Sequence, residues 1–480
     1  MPSCVRMNKI TPGLAKKQIS ISPLRHGTKS DSSSPPVNLT CTASCGVLIN
    51  SLDTMITSIK GFSDILPDEV GVWQRVESVA RRVFKAYNFA EIRIPIVEKT
   101  ELFSRSIGET TDIVEKEMYT FEDRDGRSAE SSEATKLTLR PEGTAGVVRA
   151  YVEAEMYKSE PARKLYYMGP MFRRERPQKG RMRQFHQIGA EALGRADPFI
   201  DAEILLLLSD LFAALKLTEL SLELNSLGDA ECRPRYRDKL LAFLKAREES
   251  LCANCRRRID RNPLRALDCK EPGCISATRD APSILAELCA PCRMHFDTVQ
   301  KLLDETGVRY SLNPRMVRGL DYYCRTTFEW TTTQLGSQSA VAAGGRYDGL
   351  VEQLGGPPIP GVGFAMGVER LTMLLKMHEE AVHARPDVYL VWVGENARNW
   401  AFPIAHRLRQ KNLVVEMEGE SRSLKSQMRR ADKFKAASVL IVGDDELAKG
   451  EAVLRDMASK RQENIKLENI EANLSARKAG

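Results

Sequence analysis

The sequence predicts a globular protein of mixed helices and strands in two or three domains. Its 480 residues exceed the usual size of a single domain. Residues 172–191 have the pattern of a β-hairpin, and residues 388–442 alternate between apolar strands and helices, as in a small parallel α/β domain. Residues 231–305, which lie between these two segments, have a charged and helical pattern.

Composition favours a soluble protein. The hydrophobic fraction of 42% and the charged fraction of 28% are typical of globular domains, and no apolar run is long enough for a membrane span. The net charge of +7 is modest for this length, so local basic clusters matter more than the total. The odd number of cysteines, eleven, and the lack of an apolar signal-peptide core predict a reducing, cytoplasmic compartment.

Residues 1–54 differ from the rest of the chain. They are rich in Ser, Pro and Thr, and they contain six Lys or Arg residues against two Asp. No periodic apolar pattern runs long enough to fold, so a disordered extension is expected. Two alternatives are translation upstream of a natural start at Met55 and a basic, Ser-rich organelle transit peptide.

A long helix followed by a strand is predicted next. Apolar residues recur at helical spacing from Asp68 to Asn88, and the strand-like residues 90–94 end at Pro95. Core packing alone would also explain this pattern.

Residues 137–144 are predicted to form a short strand that breaks into a turn before a helix at residues 145–155. Thr144 can cap this helix at its N-terminus. Glu142 precedes the positive end of the helix, which should help to keep its carboxylate ionised. A role for Glu142 in the cap alone is the alternative.

The hairpin at residues 172–191 presents polar side chains in pairs. Pro177 and Gly180 lie between its limbs, where turn residues are expected. Because side chains alternate along a strand, Arg173 and Glu175 should share one face of the first limb. Such a face suits a nucleotide triphosphate.

The second limb of the hairpin places Gln187, Gly189 and Glu191 on one face by the same alternation. The loop between the limbs carries three cations and no acid, which suits a polyanion. These cations are Lys179, Arg181 and Arg183.

Six cysteines concentrate in the helical segment as Cys252-x2-Cys255, Cys269-x4-Cys274 and Cys289-x2-Cys292. Two C-x2-C pairs have the spacing by which thiolates hold tetrahedral zinc. The sequence therefore predicts a structural Zn²⁺ at Cys252, Cys255, Cys289 and Cys292. The middle pair leaves the ligand set ambiguous, and reduced thiols on helices are the alternative.

Residues 318–323 place two tyrosines beside an arginine and an aspartate, which makes a candidate polar pocket with aromatic walls. For Tyr322 the alternative is a buried core ring. For Arg318 it is an ion pair with Asp321 or another acid.

Glycines mark two further stretches. Gly344 and Gly345 would let a ligand approach the backbone. In residues 361–370, glycines at 361, 363 and 367 should leave one strand face bare as a floor for a flat purine. Arg370, in the first turn of the following helix, could lie over that floor or reach phosphate.

The C-terminal part follows a linker at residues 383–386. Its second predicted helix lies in the basic stretch 422–435, which includes Arg429 and Arg430. This stretch predicts contact with nucleic acid, and a solvated helix face is the alternative.

These motifs resemble those of class II aminoacyl-tRNA synthetases. Residues 172–175 (FRRE) resemble motif 2, residues 361–370 resemble motif 3, and the helix and strand that end at Pro95 resemble motif 1, the dimer interface of that class. Residues 318–323 (RGLDYY) and 343–348 (AGGRYD) resemble the two signatures of the histidyl-tRNA synthetase family. The similarity runs from about Met55 into the C-terminal region.

The resemblance implies an α+β fold: an antiparallel sheet flanked by helices, a helical insertion and a C-terminal α/β anticodon-binding domain. The expected segments are an extension at 1–54, catalytic parts at 55–230 and 306–380, the insertion at 231–305 and the anticodon-binding domain at 387–480. It also implies a homodimer that uses ATP with Mg²⁺, histidine and tRNA(His).

The resemblance implies two steps, formation of histidyl-adenylate and transfer of histidine to the terminal ribose of the tRNA. Arg173 and Arg318 would hold the α-phosphate from two sides and act in catalysis. The ATP-binding residues would be Arg173, Glu175, Arg318 and Arg370, with Glu175 on the adenine amino group and Arg370 near the adenine and the terminal phosphates.

Within the same resemblance, Glu142 and Thr144 would bind the α-amino group of histidine, and Glu191 and Tyr323 would meet its imidazole. The full histidine-binding set would be Glu142, Gly143, Thr144, Gln187, Glu191, Tyr322 and Tyr323. The tRNA contacts would be Lys179, Arg181, Arg183, Arg429 and Arg430.

Two other functions fit parts of the pattern. One is a synthetase-like regulatory subunit of ATP phosphoribosyltransferase, which binds histidine without charging tRNA. Such paralogues usually lack the ATP-binding arginines and the C-terminal domain, whereas this chain has Arg173, Arg318 and Arg370. The other is a class II synthetase for a different amino acid.

Overall fold

The computed structural model describes residues 56–108, 111, 113–123, 135–178, 180–317, 320, 322–336, 339–378 and 385–479. The extension expected at residues 1–54 lies outside them. Contacts group Ser58–Gly480 into one unit, to which the following description applies. None of its described helices is both long and apolar enough to cross a membrane.

The described strands are β1 (Ala90–Glu91), β2 (Val97–Lys99), β3 (Tyr119–Asp123), β4 (Thr135–Leu139), β5 (Arg163–Phe172), β6 (Gln184–Leu193), β7 (Ser221–Ser226), β8 (Tyr310–Leu312), β9 (Cys324–Thr331), β10 (Ala340–Arg346), β11 (Gly361–Gly367), β12 (Val388–Val393), β13 (Val415–Met417), β14 (Ser438–Gly443), β15 (Glu451–Asp456) and β16 (Gln462–Lys466). The described helices are α1 (Pro67–Ala86), α2 (Thr100–Ile107), α3 (Thr144–Glu153), α4 (Met156–Ser159), α5 (Pro198–Ala214), α6 (Cys232–Lys245), α7 (Ala253–Arg258), α8 (Pro272–Ala277), α9 (Ala290–Thr306), α10 (Leu350–Gln353), α11 (Val368–His378), α12 (Glu395–Gln410), α13 (Leu424–Lys433), α14 (Asp444–Ala448) and α15 (Ile470–Ala479).

An eight-stranded sheet in the order β1-β5-β6-β11-β10-β9-β7-β8 forms the centre of the fold. Its inner pairs are antiparallel, and only the edge strands β1 and β8 run parallel to their neighbours. A separate three-stranded sheet has the order β2-β4-β3. The predicted antiparallel sheet flanked by helices is therefore confirmed.

The two faces of the large sheet have different roles. Alternate residues of β6, such as Ile188 and Ala190, are buried in the main core with α1, α5, α9 and α11. The residues between them, including Gln187 and Glu191, lie on the opposite face because successive side chains alternate. That opposite face carries the candidate site.

A buried ion-pair network joins β10 to two of the core helices. Arg346 is fully buried, and its Nε donates to Asp201 of α5 at 3.1 Å. Nε2 of His295, in α9, lies 2.7 Å from the same carboxylate. Burial raises the pKa of Asp201, but the bonds from His295 and Arg346 outweigh it, so the pKa lies below its usual value.

The hairpin forms as predicted, with β5 and β6 paired in antiparallel register from Arg163–Leu193 to Phe172–Gln184. Its first limb was predicted too long, because β5 ends at Phe172 and the next residues are irregular. Arg173 and Glu175 therefore lie beyond the strand. Their side chains nevertheless point the same way, with Nη1 of Arg173 3.8 Å from Oε1 of Glu175.

The C-terminal sheet has the order β13-β12-β14-β15-β16. Strands β12, β13 and β14 are parallel, as the sequence predicts. Strands β15 and β16 were not predicted, and they extend the sheet in antiparallel fashion. The domain is thus a mixed α/β unit.

Candidate active site

A cavity of about 340 Å³ opens on the face of the large sheet opposite the main core. It brings together side chains from the hairpin, α3, the segment before β9, and β11 with α11. Sequence-predicted residues that line it are Glu142, Thr144, Arg173, Glu175, Arg181, Gln187, Tyr322, Tyr323 and Arg370.

Arginines surround one end of this cavity. Nε of Arg173 donates to the carbonyl oxygen of Pro141 at 2.9 Å, and its guanidinium lies 5.2 Å from the ring centre of Phe185. Nε of Arg370 donates to the carbonyl oxygen of Gly180 at 3.3 Å. Burial, then repulsion from Arg181 and Arg173, lowers the pKa of Arg370. This part of the cavity is therefore rich in positive charge and suited to an anion.

Glu175 is buried beside these cations. Its carboxylate contacts Nε of Arg181, and Arg181 also approaches Glu117 at 3.9 Å. Arg181, predicted as a tRNA contact, thus lines the cavity. Arg183 instead donates from Nε to the carbonyl oxygen of Glu175 at 3.2 Å, so it also braces the hairpin.

Glu142 lines the same cavity and caps α3. Its carboxylate accepts the backbone N–H groups of Thr144 at 2.7 Å and Ala145 at 2.9 Å. Gly143 occupies the N-cap position, so the prediction that Thr144 caps the helix is wrong. Burial raises the pKa of Glu142 above its usual value, because it outweighs the two backbone bonds at the helix end, which lower the pKa as expected.

Glu191 lies behind the cavity wall and is fully buried. Oγ1 of Thr144 donates to its Oε1 at 2.6 Å, and the hydroxyl of Tyr347 donates to Oε2. Burial raises the pKa of Glu191 to about 8; the two hydrogen bonds oppose this shift, and repulsion from Glu142 adds to it. The carboxyl group is thus held in place before any ligand binds.

The glycines of β11 make room for this carboxylate. A Cβ atom at Gly363 would overlap Oε2 of Glu191, and one at Gly361 would overlap the ring of Tyr347. Gly367 and Ala365 line the cavity itself. The predicted bare floor for a purine is therefore limited to the end of the strand near Gly367.

Two adjacent tyrosines form an aromatic wall. The ring centres of Tyr322 and Tyr323 are 4.7 Å apart, and Tyr322 meets Tyr347 edge-on at 5.6 Å. Gln187 of β6 lies across the sheet, and its buried Oε1 has no hydrogen-bond partner. This unpaired acceptor faces a cavity in which a ligand N–H could satisfy it.

The remaining predicted residues have varied positions. Arg318 and Lys179, as well as Asp321, lie outside the described residues. Arg429 is exposed on α13 of the C-terminal domain, and Nε of Arg430 lies 3.0 Å from Oε2 of Glu418.

The predicted zinc ligand set is wrong in its pairing. Cys252 and Cys255 lie with Cys269 and Cys274, whereas Cys289 and Cys292 lie with Asp229 and Cys232. The two C-x2-C pairs thus belong to different clusters. Spacing along the chain could not reveal this, because the partners are set by how the helices pack.

Two residues of the site were not predicted from the sequence. Tyr347 holds Glu191, and Glu329 of β9 lines the cavity opposite the hairpin. Tyr347 lies within a quoted signature, but its partner could not be read from the chain. Glu329 alternates with buried Phe328 and Trp330, a pattern that signals a polar side chain on the open face.

Glu191 should make stability depend on pH. The folded protein retains a proton that the unfolded chain releases, so the free energy of unfolding should fall as pH rises from about 4.5 to 8. The slope can approach about 1.4 kcal/mol per pH unit. Urea denaturation of wild type and Glu191→Gln across this range measures the difference. Parallel pH profiles of the two proteins would contradict the raised pKa.

Family models match two parts of the chain. The histidyl-tRNA synthetase model matches residues 61–371, and an anticodon-binding domain model matches residues 387–477. The first match covers more than half of the sequence and includes every described residue of the cavity wall.

Curated and solved relatives agree with these matches. The histidine–tRNA ligase of Syntrophotalea carbinolica is 56% identical over 425 residues, which is 88% of this chain and 99% of that protein. That of Trichlorobacter lovleyi is 58% identical over 413 residues, 86% and 96% of the two chains. The crystal structure of apo Staphylococcus aureus histidyl-tRNA synthetase has a TM-score of 0.73 at 33% identity, covering 88% of this chain and all of that one.

Proposed function

Because the chain belongs to the histidyl-tRNA synthetase family and is a histidine–tRNA ligase, we propose that its cavity binds ATP at the arginine-lined end and histidine at the opposite end. The observation that carries this assignment is the combination of side chains on one cavity wall. Arg173, Arg181 and Arg370 can hold phosphate, and Glu142 with the tyrosine pair can hold an amino acid.

In the proposed first step, a carboxylate oxygen of histidine attacks the α-phosphorus of ATP, which enters as its Mg²⁺ complex. The bond to the β-phosphate breaks, pyrophosphate leaves and histidyl-adenylate forms. Arg173 holds the α-phosphate as its charge increases, which is electrostatic stabilisation of the transition state. Arg370 supports the terminal phosphates, and Glu175 receives the adenine amino group. Arg318 completes the phosphate site by resemblance to the family.

The opposite end positions the amino acid. Glu142 and Thr144 bind the α-amino group, and Gln187 supplies its unpaired oxygen to a ligand N–H. Tyr323 and Glu191 recognise the imidazole ring, whose N–H distinguishes histidine from apolar amino acids. Since Glu191 is already bonded to Thr144 and Tyr347, these two hydroxyls fix its position for recognition.

In the proposed second step, a hydroxyl of the terminal tRNA ribose attacks the carbonyl carbon of histidyl-adenylate, and AMP leaves. Lys179, Arg181 and Arg183 contact the acceptor end, and Arg429 and Arg430 contact the anticodon arm. This assignment rests on their positive charge and on the family resemblance.

We also propose a cytoplasmic homodimer. Ile96, Val97 and Phe121 are large apolar side chains that remain more than a third exposed near the segment that resembles motif 1. Their burial by a second copy would agree with the role of that motif in the class. The eight cysteines of the described residues are free, which agrees with a reducing compartment.

Substitution Gly363→Ala tests the histidine end of the cavity. The added Cβ should displace the Glu191 carboxylate and also crowd the carbonyl oxygen of Ala190, at a cost of at least about 1–3 kcal/mol. We expect the KM for histidine in ATP–pyrophosphate exchange to rise by about 10- to 100-fold, with the KM for ATP little changed. Gly349→Ala is the matched control, because a Cβ at that position meets no atom within 4 Å.

Two outcomes would contradict the proposed pocket. One is a Gly363→Ala variant that has the same unfolding temperature as the wild type and an unchanged KM for histidine. The other is exchange in the wild-type protein that responds to another amino acid as strongly as to histidine.

A further inference from the structure

The helical insertion and the residue Asp229 just before it supply eight potential metal ligands that the aminoacylation reaction does not use. They form one set of four cysteines and one set of three cysteines with an aspartate. The first set is Cys252, Cys255, Cys269 and Cys274, and the second is Asp229, Cys232, Cys289 and Cys292. Within each set the ligand atoms lie within 4.8 Å of one another. We propose that each set binds one zinc ion, so that the chain has two structural zinc sites.

The first set has the geometry of a tetrahedral thiolate site. Zn–S bonds of about 2.3 Å place the sulfurs of a tetrahedron about 3.8 Å apart. Sγ of Cys252 lies 3.9 Å from Sγ of Cys269. A disulfide would need about 2.05 Å, so the spacing fits ligands around an ion.

Backbone groups are oriented to stabilise thiolates in this set. The N–H of Cys252 points to Sγ of Cys274 at 3.1 Å, and the N–H of Cys255 points to Sγ of Cys252 at 3.4 Å. Four thiolates around Zn²⁺ carry a net charge of about −2. The consecutive cations at residues 256–258 of α7 adjoin the set and offset this charge.

The second set joins the two ends of the insertion. Cys232 begins α6 and Cys289 precedes α9, and the N–H of Cys289 points to Sγ of Cys232 at 3.0 Å. Sγ of Cys289 lies 3.7 Å from Oδ2 of Asp229. Thiolates and a carboxylate are all zinc ligands in proteins.

The part of the insertion around the first set is built from short elements. Helices α7 and α8 have only six residues each, too short to persist alone. Its own hydrophobic core is small, and Cys255 and Cys274 are themselves buried in it. A metal that binds only the folded arrangement adds its binding free energy to folding.

The second site also adjoins the histidine pocket, whose assignment rests on the proposed function. Nη1 of Arg233, one residue after Cys232, donates to the carbonyl oxygen of Tyr323 at 3.2 Å. Nη2 of Arg325 lies 3.8 Å from Asp229. A zinc ion at this position would fix the start of the insertion against the segment that carries the tyrosine pair.

Metal analysis of the full chain, purified without chelator, tests the proposal. We expect two equivalents of zinc in the wild type. The pair of substitutions Cys269→Ser and Cys274→Ser should leave one equivalent, and so should the pair Cys289→Ser and Cys292→Ser. Cys324→Ser, a free cysteine outside both sets, should retain two.

X-ray absorption on the wild-type protein gives a second measurement that needs no variant. Zinc–sulfur distances of about 2.3 Å are expected, with a mean of about 3.5 sulfur ligands per zinc, the average of four and three. Less than half an equivalent of zinc, iron in its place, or disulfides within either set in non-reducing peptide maps would overturn the proposal. Wild-type protein that is purified with less than half an equivalent of zinc and still catalyses normal histidine-dependent exchange would refute the sites without affecting the proposed function.

Discussion

Arg173→Ala is expected to slow histidine-dependent ATP–pyrophosphate exchange by about 100- to 1000-fold in kcat. Arg173 is fixed at the cationic end of the cavity by Pro141 and by the ring of Phe185. The attraction between its guanidinium and the α-phosphate should increase as the phosphate gains negative charge in the transition state. Steady-state exchange at saturating ATP and histidine measures the loss.

The adjacent residue supplies the control for this variant. Arg174 is exposed, and its backbone N–H donates to the carbonyl oxygen of Glu117, a bond that Arg174→Ala preserves. That variant should keep kcat close to the wild-type value. Arg173→Lys should fall between the two, because it keeps the charge but loses the forked geometry. An Arg173→Ala protein that folds and stays within tenfold of wild type would refute the assigned role.

The second large effect is on stability. Arg346→Met should lower the free energy of unfolding by about 3–5 kcal/mol, because it leaves the buried carboxylate of Asp201 without its main partner. His295 would remain at 2.7 Å but cannot replace a bidentate guanidinium. Chemical denaturation at neutral pH measures the change.

Two further variants separate this network from ordinary surface pairs. Arg195→Ala removes a partly exposed pair with Asp197 and should cost less than about 1 kcal/mol. The double variant Asp201→Leu, Arg346→Met should recover much of the loss, because neither charge then remains buried alone. If Arg346→Met costs no more than Arg195→Ala, the network does not contribute as described.

The sequence predicted the secondary structure of the site better than its contacts. The limbs of the hairpin, α3 and the strand at Gly361–Gly367 follow from turn residues and periodicity, which are local signals. The end of β5 at Phe172 was missed, because alternation continues past the last paired residue. Strands β15 and β16 of the C-terminal sheet were missed, because the alternation of strands and helices before them predicted only parallel strands.

Contacts between distant segments could not be predicted from the chain alone. Gly363 was interpreted as space for a ligand, but it provides space for Glu191, a strand away in the sheet. The cysteines were grouped by spacing, and the fold groups them by helix packing instead. In both cases the residue types were recognised, and the missing information was which side chain lies opposite.

Strand β6 belongs to two environments at once. Ile188 and Ala190 pack into the main core, while on the other face Gln187 lines the cavity and Glu191 lies behind its wall, bonded to Thr144. Substitutions at single positions can therefore alter one environment and spare the other. A one-residue insertion or deletion would exchange the two sets, placing the Gln187 amide and the Glu191 carboxylate in the core and aliphatic groups in the pocket. The number of residues in this strand therefore matters to both environments, whereas each side chain matters to one of them.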